Sequence, residues 1–215
     1  MKITTTKIYD KNIPSFSGQR LFNVNLLRKF DKQTWMNIPA YFSKIQQEDE
    51  LAMLSVYDNW YKTTYGELIC LNFLRNKIYG QYNPNQEFFM IENLQPTNEK
   101  NIMALAETLF KNKKLNISFL QSRSELKEPK KEVTLGGATM ILYGLCKYAK
   151  QIKSKSIELI SDADGTDIFY SKLGFKQIGS SSKFILSRKY YNKFIKNIEK
   201  KYFPRHSFVN SVKKN

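Results

Sequence analysis

A pair of glycines directly before an amphipathic stretch constrains the fold more than any other feature of the sequence. Gly136 and Gly137 follow a short apolar run, and the residues after them recur at the spacing of one helix face: Ile141, Leu145, Tyr148 and Ile152. A glycine loop that leads into a helix leaves backbone N–H groups converging at the positive end of the helix dipole. Such a loop suits a phosphate group, although two adjacent glycines are also common in ordinary turns.

The residues after this helix predict a strand and a second, shorter helix. Residues 157–160 (Ile-Glu-Leu-Ile) are short and β-branched enough to form a buried strand. Asp164 or Thr166 can cap the short helix that follows, and Gly174 stands where a left-handed helix end belongs. Residues 133–175 therefore predict the order glycine loop, helix, strand, helix and glycine.

This segment resembles the GCN5-related N-acetyltransferases, a family that binds acetyl-CoA on such a loop. Residues 169–175, Phe-Tyr-Ser-Lys-Leu-Gly-Phe, are similar to the signature helix end of the family, where Tyr, two residues and Leu-Gly-Phe follow an aromatic or apolar residue. In the loop, Gly136 and Ala138 match the last two places of the family pattern, whereas Val133 stands where Arg or Gln is expected. The resemblance covers roughly the last half of the chain.

The resemblance implies a fold, a co-substrate and a set of site residues. The fold is of the α/β (α+β) type, with a mixed, twisted sheet flanked by helices and split around acetyl-CoA. The pyrophosphate of acetyl-CoA would lie against the backbone N–H groups of the loop, which comprises Leu135, Gly136, Gly137, Ala138 and Thr139. Tyr170 would act as the general acid toward the CoA thiolate, because a phenol of ordinary pKa, about 10, is protonated at neutral pH. A tyrosine packed in the core is the alternative for this position.

No general base can be identified from the sequence. The candidates are carboxylates on or just after predicted strands, and each is more often a solvated or capping group: Glu92, Glu158, Asp162 and Asp164. In the family a chain of waters can take this role. His206 is the single histidine and lies in the tail, which argues against Ser-His-Asp or Cys-His catalysis and against a His-rich metal site. Direct attack by the amine in a ternary complex is therefore expected.

The N-terminal half carries little of the resemblance, so its elements are predicted from periodicity alone. Strands are expected over residues 1–9, 88–94 and 115–120, the last placing Leu115, Ile117 and Phe119 on one face; helices are expected over 34–47 and 98–112. Residues 19–30 fit a strand or a helix. In residues 48–78 the acidic run could open a helix, but 51–57 and 68–74 could also pair as strands. The implied fold favours a strand for 68–74.

The net charge of +16 is the one unusual feature of the composition. Residues 183–215 carry ten lysines and arginines against the single Glu199, so about +9 lies there. Such an excess favours polyanionic partners or acidic substrates, the alternative being a lysine-rich solvated surface. Residues 188–203 predict a basic amphipathic helix with these residues inward: Tyr191, Phe194 (or Ile195), Ile198 and Tyr202. That helix either docks on the protein or contacts RNA or an anionic membrane.

One domain is expected over residues 1–187, with residues 115–187 as its recognisable core and 188–215 as a basic extension. Two functions remain open. The first is an N-acetyltransferase that moves an acetyl group from acetyl-CoA to an amine, with a protein amine, an aminoacyl-tRNA or a polyamine-like molecule as acceptor. The second is a degenerate domain of the same fold that binds nucleic acid or membrane through its tail. Cys70 and Cys146 lie far apart in apolar contexts, so a reducing, cytoplasmic location is expected.

Overall fold

The computed structural model describes residues 18–29, 35–60, 64–80, 83–94, 102–122, 133–161 and 165–203. In these residues nine strands form one sheet, and five helices accompany it. The strands are β1 (Gln19–Lys29), β2 (Trp35–Lys44), β3 (Gln86–Asn93), β4 (Ile102–Lys111), β5 (Lys114–Ser122), β6 (Val133–Leu135), β7 (Ser156–Ile160), β8 (Lys176–Gln177) and β9 (Lys183–Ser187). The helices are α1 (Glu50–Trp60), α2 (Thr64–Ile78), α3 (Gly137–Gln151), α4 (Thr166–Lys172) and α5 (Tyr191–Tyr202).

The sheet is mixed, as the resemblance implied, and its single parallel pair lies between β5 and β7. The strand order is β6-β1-β2-β3-β4-β5-β7-β9-β8, and every other neighbouring pair is antiparallel. Because a parallel pair needs a crossover connection, the chain leaves β5 and returns to β7 through α3. The glycine loop and its helix therefore belong to the crossover that joins the two parallel strands.

The sheet separates two apolar clusters. The larger one lies on the face that α3 and α5 cover and includes Phe42, Phe89 and Leu145. The smaller one lies beneath α1 and α2 and includes Trp60, Phe88 and Met90. Adjacent residues of β3 thus belong to opposite clusters, as the alternation of side chains along a strand requires. Because helices cover both faces, the middle of the sheet is buried.

The prediction of a helix over residues 98–112 is wrong, because residues 102–111 form the central strand β4. Every residue from Ile102 to Thr108 is buried, since β3 and β5 flank the strand and helices cover both faces. Leu105 belongs to the cluster under α1 and α2, while Ala104 and Ala106 belong to the other. A continuous apolar run of this kind lacks the period-two signal of a half-exposed strand.

Two further predictions in the N-terminal half are wrong. Residues 35–44 form β2, not a helix, and Pro39 lies opposite Asn25 of β1 while its carbonyl accepts a bond from the N–H of Leu94. Burial alternates along β2 at Ile38, Ala40 and Phe42, as in a strand. Residues 68–74 lie in α2 and not in a strand, so the acidic run does open a helical stretch.

Several other predictions are confirmed. The strands β3 and β5 lie where strands were expected. Residues 19–29, which fitted a strand or a helix, form a strand, and β8 pairs with β9 as a hairpin. Gly174 has a φ of +94° at the end of α4, as a left-handed stop requires. The N-cap of α4 is Gly165, so Thr166 is not the cap but the first helical residue. Asp164, the strand at 1–9 and residues 123–132 lie outside the described residues.

The C-terminal helix is present and lies on the body of the protein. Its apolar face is buried at the four expected positions, Tyr191, Phe194, Ile198 and Tyr202. The lysines at 193, 196, 200 and 201 are exposed on the other side. The protein itself therefore covers the apolar face, which leaves only the charged side of α5 for contact with solvent.

Candidate functional site

A cleft opens where the two parallel strands part. The pairing of β5 with β7 runs from Lys114 to Ile117, and β5 then continues along β4 alone to Ser122. Between Ile117 and Phe119 the register with β4 shifts by one residue, so Ser118 forms a bulge. A bulge bends its strand and strengthens the local twist. The bend coincides with the end of the β7 pairing, and it turns the end of β5 away from β7.

The space between the strands is a cavity of about 370 Å³. The part of the chain that the structure describes lines it with aromatic, aliphatic, hydroxyl and amide side chains: Tyr65, Ile117, Ser118, Phe119, Leu120, Gln121, Ser122, Ala138, Leu159, Ile160, Thr166, Phe169 and Tyr170. The size is that of an ordinary ligand site. None of these lining residues carries a formal charge, so the described wall holds a ligand by shape and by neutral hydrogen bonds.

Tyr170 forms part of the cavity wall, and close packing fixes its side chain. It lies on α4 with its ring 5.3 Å from Phe169, 6.0 Å from Phe175 and 5.7 Å from Phe184, measured between centroids. Only 8% of the residue is exposed. The packed alternative is confirmed, because Tyr170 belongs to the core, and the residue also borders the cleft.

The glycine loop forms the start of α3 beside the same cavity. Gly136 is the N-cap with a φ of +100°, and its carbonyl accepts the first helical bond from the N–H of Met140 at 2.7 Å. A Cβ on Gly137 would lie 2.5 Å from the carbonyl oxygen of Met103, so only glycine lets α3 approach β4 this closely. Ala138 lines the cavity. The first turn of α3 therefore lies at one wall of the cleft.

The five predicted loop residues are divided between different surroundings. Leu135 lies in β6, paired with Leu27 of β1, and Thr139 is buried. Of the five, Ala138 alone lines the cavity, while Gly136 and Gly137 pack against protein. The N–H groups of a first helical turn have no acceptor within the helix, so this turn can still present them to an anion. Val133 lies in β6 opposite Lys29, so the strand pair fixes this end of the loop.

The carboxylates considered as bases lie elsewhere or outside the described residues. Glu158 faces away from the cavity and is 4% exposed, with Lys114 Nζ at 2.9 Å and Lys183 Nζ at 2.7 Å. Burial acts to raise the pKa of Glu158, but hydrogen bonds from Lys183, Lys114 and Ser156 lower it to about 2. Burial raises the pKa of Glu92, which lies on β3 near Arg20 and away from the cavity. Asp162 and Asp164 are not among the described residues.

Sequence reasoning missed the aromatic wall that Tyr65 and Phe119 contribute to the cavity that Tyr170 also lines. Phe119 stacks on Tyr65 of α2 with centroids 5.7 Å apart, and the N–H of Tyr65 donates to Gln121 Oε1 at 3.4 Å. The prediction that Phe119 shares a face with Leu115 and Ile117 is wrong, because the bulge reverses the alternation. An alternating sequence gives no sign of a bulge, so this wall could not be found from periodicity.

Among the described residues, no helix is long and apolar enough to cross a membrane. No group of three or more His, Cys, Asp and Glu side chains among them is arranged to hold a metal ion.

Comparison with known proteins gives structural matches only. No family model and no curated protein matches the sequence. Apo FdhC, a nucleotide-linked sugar GNAT, is 12% identical with a TM-score of 0.55, covering 85% of this chain and 98% of that chain. An uncharacterized protein of Bacillus halodurans is 11% identical with a TM-score of 0.51, covering 84% and 99%.

The ribosomal-protein-S18-alanine N-acetyltransferase of Escherichia coli is also similar, at 12% identity and a TM-score of 0.44, with 68% of this chain and 90% of that chain covered. Identities this low show the fold and no more. In this chain the glycine loop, the strand β7 and the Tyr170 helix follow one another in the order that the sequence motifs indicated. The chain therefore has the fold of the GCN5-related N-acetyltransferases.

Proposed function

We propose that the protein transfers an acetyl group from acetyl-CoA to an amine. The observation that carries the proposal is the cleft between β5 and β7, which has the first turn of α3 on one wall and Tyr170 on another. A helix start that can present N–H groups to an anion and a phenol that can donate a proton thus border a single cavity. A thioester of a phosphorylated carrier is the kind of substrate that needs both.

The residues present fit acetyl-CoA in three places. The first turn of α3 offers N–H groups to the pyrophosphate, and Ala138 leaves room beside them. Beyond Ile117, β5 no longer pairs with β7. The backbone N–H and C=O groups on that edge of β5 can therefore bond the amides of the pantetheine arm. The acetyl group would lie deeper, between the aromatic wall of Tyr65 and Phe119 and the ring of Tyr170.

The chemistry requires a bond between the amine nitrogen and the acetyl carbon, while the carbon–sulfur bond breaks. Acetyl-CoA supplies the activated acyl group, and the phenol of Tyr170 gives its proton to the departing sulfur. The attacking amine loses one proton to water, since none of the described residues that line the cavity is a carboxylate, and water returns a proton to the Tyr170 phenolate, so no net proton is gained or lost. Placing both reactants in one cavity supplies much of the rate, because the reaction becomes effectively intramolecular.

Direct transfer is favoured over a covalent acyl-enzyme. Both cysteines are buried and free, and neither lines the cavity. Burial raises the pKa of the Cys70 thiol to about 12, with Glu67 adding to the effect, and burial also raises the pKa of Cys146. Thiols with pKa values this high are poor nucleophiles at neutral pH. The amine must therefore reach the thioester itself.

The wall suggests which acceptors to try first. Its described side chains are uncharged and include a stacked aromatic pair, which suits an amine on a neutral, hydroxyl-bearing ring better than a polyamine. FdhC is a nucleotide-linked sugar GNAT, so amino sugars linked to nucleotides are the first acceptors to assay. Aminoacyl-tRNA and peptide amines are the next.

Acetyl-CoA binding, measured by titration calorimetry, tests the proposal directly. We expect the wild-type protein to bind, and we expect Ala138→Glu to abolish binding because it places a negative charge at the first turn of α3. Ala138→Gln is the matched control, with nearly the same length and no charge, and should bind more tightly than Ala138→Glu. Failure of the folded wild-type protein to bind acetyl-CoA rejects the proposed function.

A further inference from the structure

The last turn of the C-terminal helix reaches the glycine loop. Helix α5 runs antiparallel along α3: Lys150 Nζ donates to Asn192 Oδ1 at 2.8 Å near one end, and Tyr143 donates to Glu199 Oε1 at 2.9 Å nearer the other. The helix ends at Tyr202, whose ring lies against Gly136. A Cβ built on Gly136 would be 3.1 Å from Cε1 of Tyr202. Two segments more than sixty residues apart thus meet at the N-cap of α3.

Tyr202 is buried, and its main chain is hydrogen-bonded to the sheet. The residue is 5% exposed, and its carbonyl oxygen accepts a hydrogen bond from Asn25 Nδ2 at 3.1 Å. Asn25 lies on β1, the strand that also pairs with β6 through Leu27 and Leu135. Strand β1 therefore holds both sides of the contact between Tyr202 and Gly136. It bonds to Tyr202 through Asn25, and it pairs with Leu135, the residue before Gly136.

The contact with Tyr202 restricts the backbone of Gly136, which as a glycine would otherwise be conformationally free. Glycine loses more conformational freedom on folding than any other residue, and Gly136 must hold a φ of +100°. Its carbonyl begins the hydrogen-bonding of α3 at Met140, so its conformation decides where the next N–H groups point. Contact with a buried ring on one side and a strand pair on the other leaves the loop little room to change.

We propose that Tyr202 is a positioning residue for anion binding at the first turn of α3, acting through Gly136. The inference rests on the proposed function, because the anion is taken to be the pyrophosphate of acetyl-CoA. The ring carbon Cε1 makes the nearest approach to the added Cβ, at 3.1 Å, with Cζ and the hydroxyl oxygen both at 3.7 Å. The anion itself is bound by backbone N–H groups, and Tyr202 keeps them in place.

The test compares two ligands that differ in the pyrophosphate. CoA contains it, whereas pantetheine has the same thiol arm without the pyrophosphate and adenosine. We expect Tyr202→Ala to weaken CoA binding about tenfold or more, on the scale of a misplaced binding group, and to leave pantetheine binding nearly unchanged. Tyr202→Phe keeps the ring and should bind both ligands as the wild type does.

Phe194→Ala is the matched control for loss of a buried ring. Phe194 lies on the same helix, is 3% exposed and packs edge-on against Phe175 with centroids 6.0 Å apart, away from Gly136. It should lower the melting temperature as Tyr202→Ala does, but should not change the ratio of the two affinities. If Tyr202→Ala binds CoA as the wild type does, or loses both ligands by the same factor, the inference is overturned.

Asn25→Ala is the second variant, needed if Tyr202→Ala does not fold. It removes only the hydrogen bond to the Tyr202 carbonyl, so we expect a smaller loss of CoA affinity, at least about twofold, again without loss of pantetheine. Unchanged CoA affinity in this variant would count against the inference. A wild-type protein that binds no CoA overturns both proposals, whereas wild-type binding with unaffected variants overturns this one alone.

Discussion

Tyr170 is a core residue at the edge of the cavity, so the role proposed for its phenol can be tested without loss of packing. Three aromatic neighbours hold its ring, and the cavity adjoins it. Tyr170→Phe keeps the packing and removes the phenolic proton, so turnover should fall about 10²–10⁴-fold while acetyl-CoA binding persists. Release of free CoA measures turnover, and thermal melting verifies that packing is kept. Unchanged turnover with chemistry rate-limiting would assign the proton to water or to another residue.

Glu158 makes a separate prediction about stability in acid. Its pKa in the folded protein is about 2, below the ordinary 4.5, so its ion pairs stabilise the fold fully above about pH 4.5 and are lost as the pH falls toward 2. Glu158→Gln should lower the free energy of unfolding at pH 7 by about 1–3 kcal/mol. The difference from wild type should shrink as the pH falls through this range.

Urea unfolding between pH 2 and pH 7 measures this difference. Glu48→Gln is the control, because Glu48 is an exposed carboxylate whose replacement should change little at either pH. A difference between Glu158→Gln and wild type that stayed constant down to pH 2 would contradict the assignment to the ion pairs with Lys114 and Lys183.

At the scale of elements, a helix or strand is predictable from the sequence where one of its faces is buried and the other is exposed to solvent. Helix α3 has one buried and one solvated face at its C-terminal end, so its period was visible. Strand β4 is buried on both faces and β2 contains a proline, so both were mistaken for helices. Tertiary placement in the middle of a sheet overrode local propensity. The site was half predictable, because Tyr170 and Ala138 belong to sequence motifs while the Phe119 wall depends on a bulge.

Helix α5 should be indispensable to folding. It buries Tyr191, Phe194, Ile198 and Tyr202, and full burial of each such side chain contributes about 1.5–3 kcal/mol. Whole domains are stable by only about 5–15 kcal/mol. A chain ending at Ser187 should therefore be insoluble or lack a cooperative melting transition. A chain ending at Phe203 keeps α5 and is the matched control. Cooperative melting of the shorter chain near the wild-type temperature would contradict this prediction.

At the scale of the whole molecule, the motifs and the rest of the chain carry different information. The segment from Gly136 to Gly174 gave the fold family, and the N-terminal half gave almost nothing, yet both halves form one sheet. The cavity is lined by residues of β5, β7, α3 and α4 and, through Tyr65, of α2. A local signature can therefore identify the crossover, while the wall formed by Tyr65 and Phe119 comes from residues without any recognisable motif.

The net charge of +16 belongs to the whole molecule, and it predicts how binding responds to salt. Acetyl-CoA carries several phosphate charges, so a positive surface should speed its association at low ionic strength. Raising KCl from about 0.05 M to 0.5 M shortens the Debye length from more than 10 Å to less than 5 Å, and the on-rate should fall about tenfold. Pantetheine lacks the phosphates and should show almost no change.

Stopped-flow binding at several salt concentrations gives the association rates of acetyl-CoA and of pantetheine. The exposed lysines of α5 offer a way to locate the effect: Lys193→Gln, Lys196→Gln and Lys200→Gln together should reduce the salt dependence if this face steers the ligand. The buried side of α5 is untouched by these changes, so folding should be kept. Equal salt dependence for CoA and pantetheine would show that the surface charge does not act on the phosphates of the ligand.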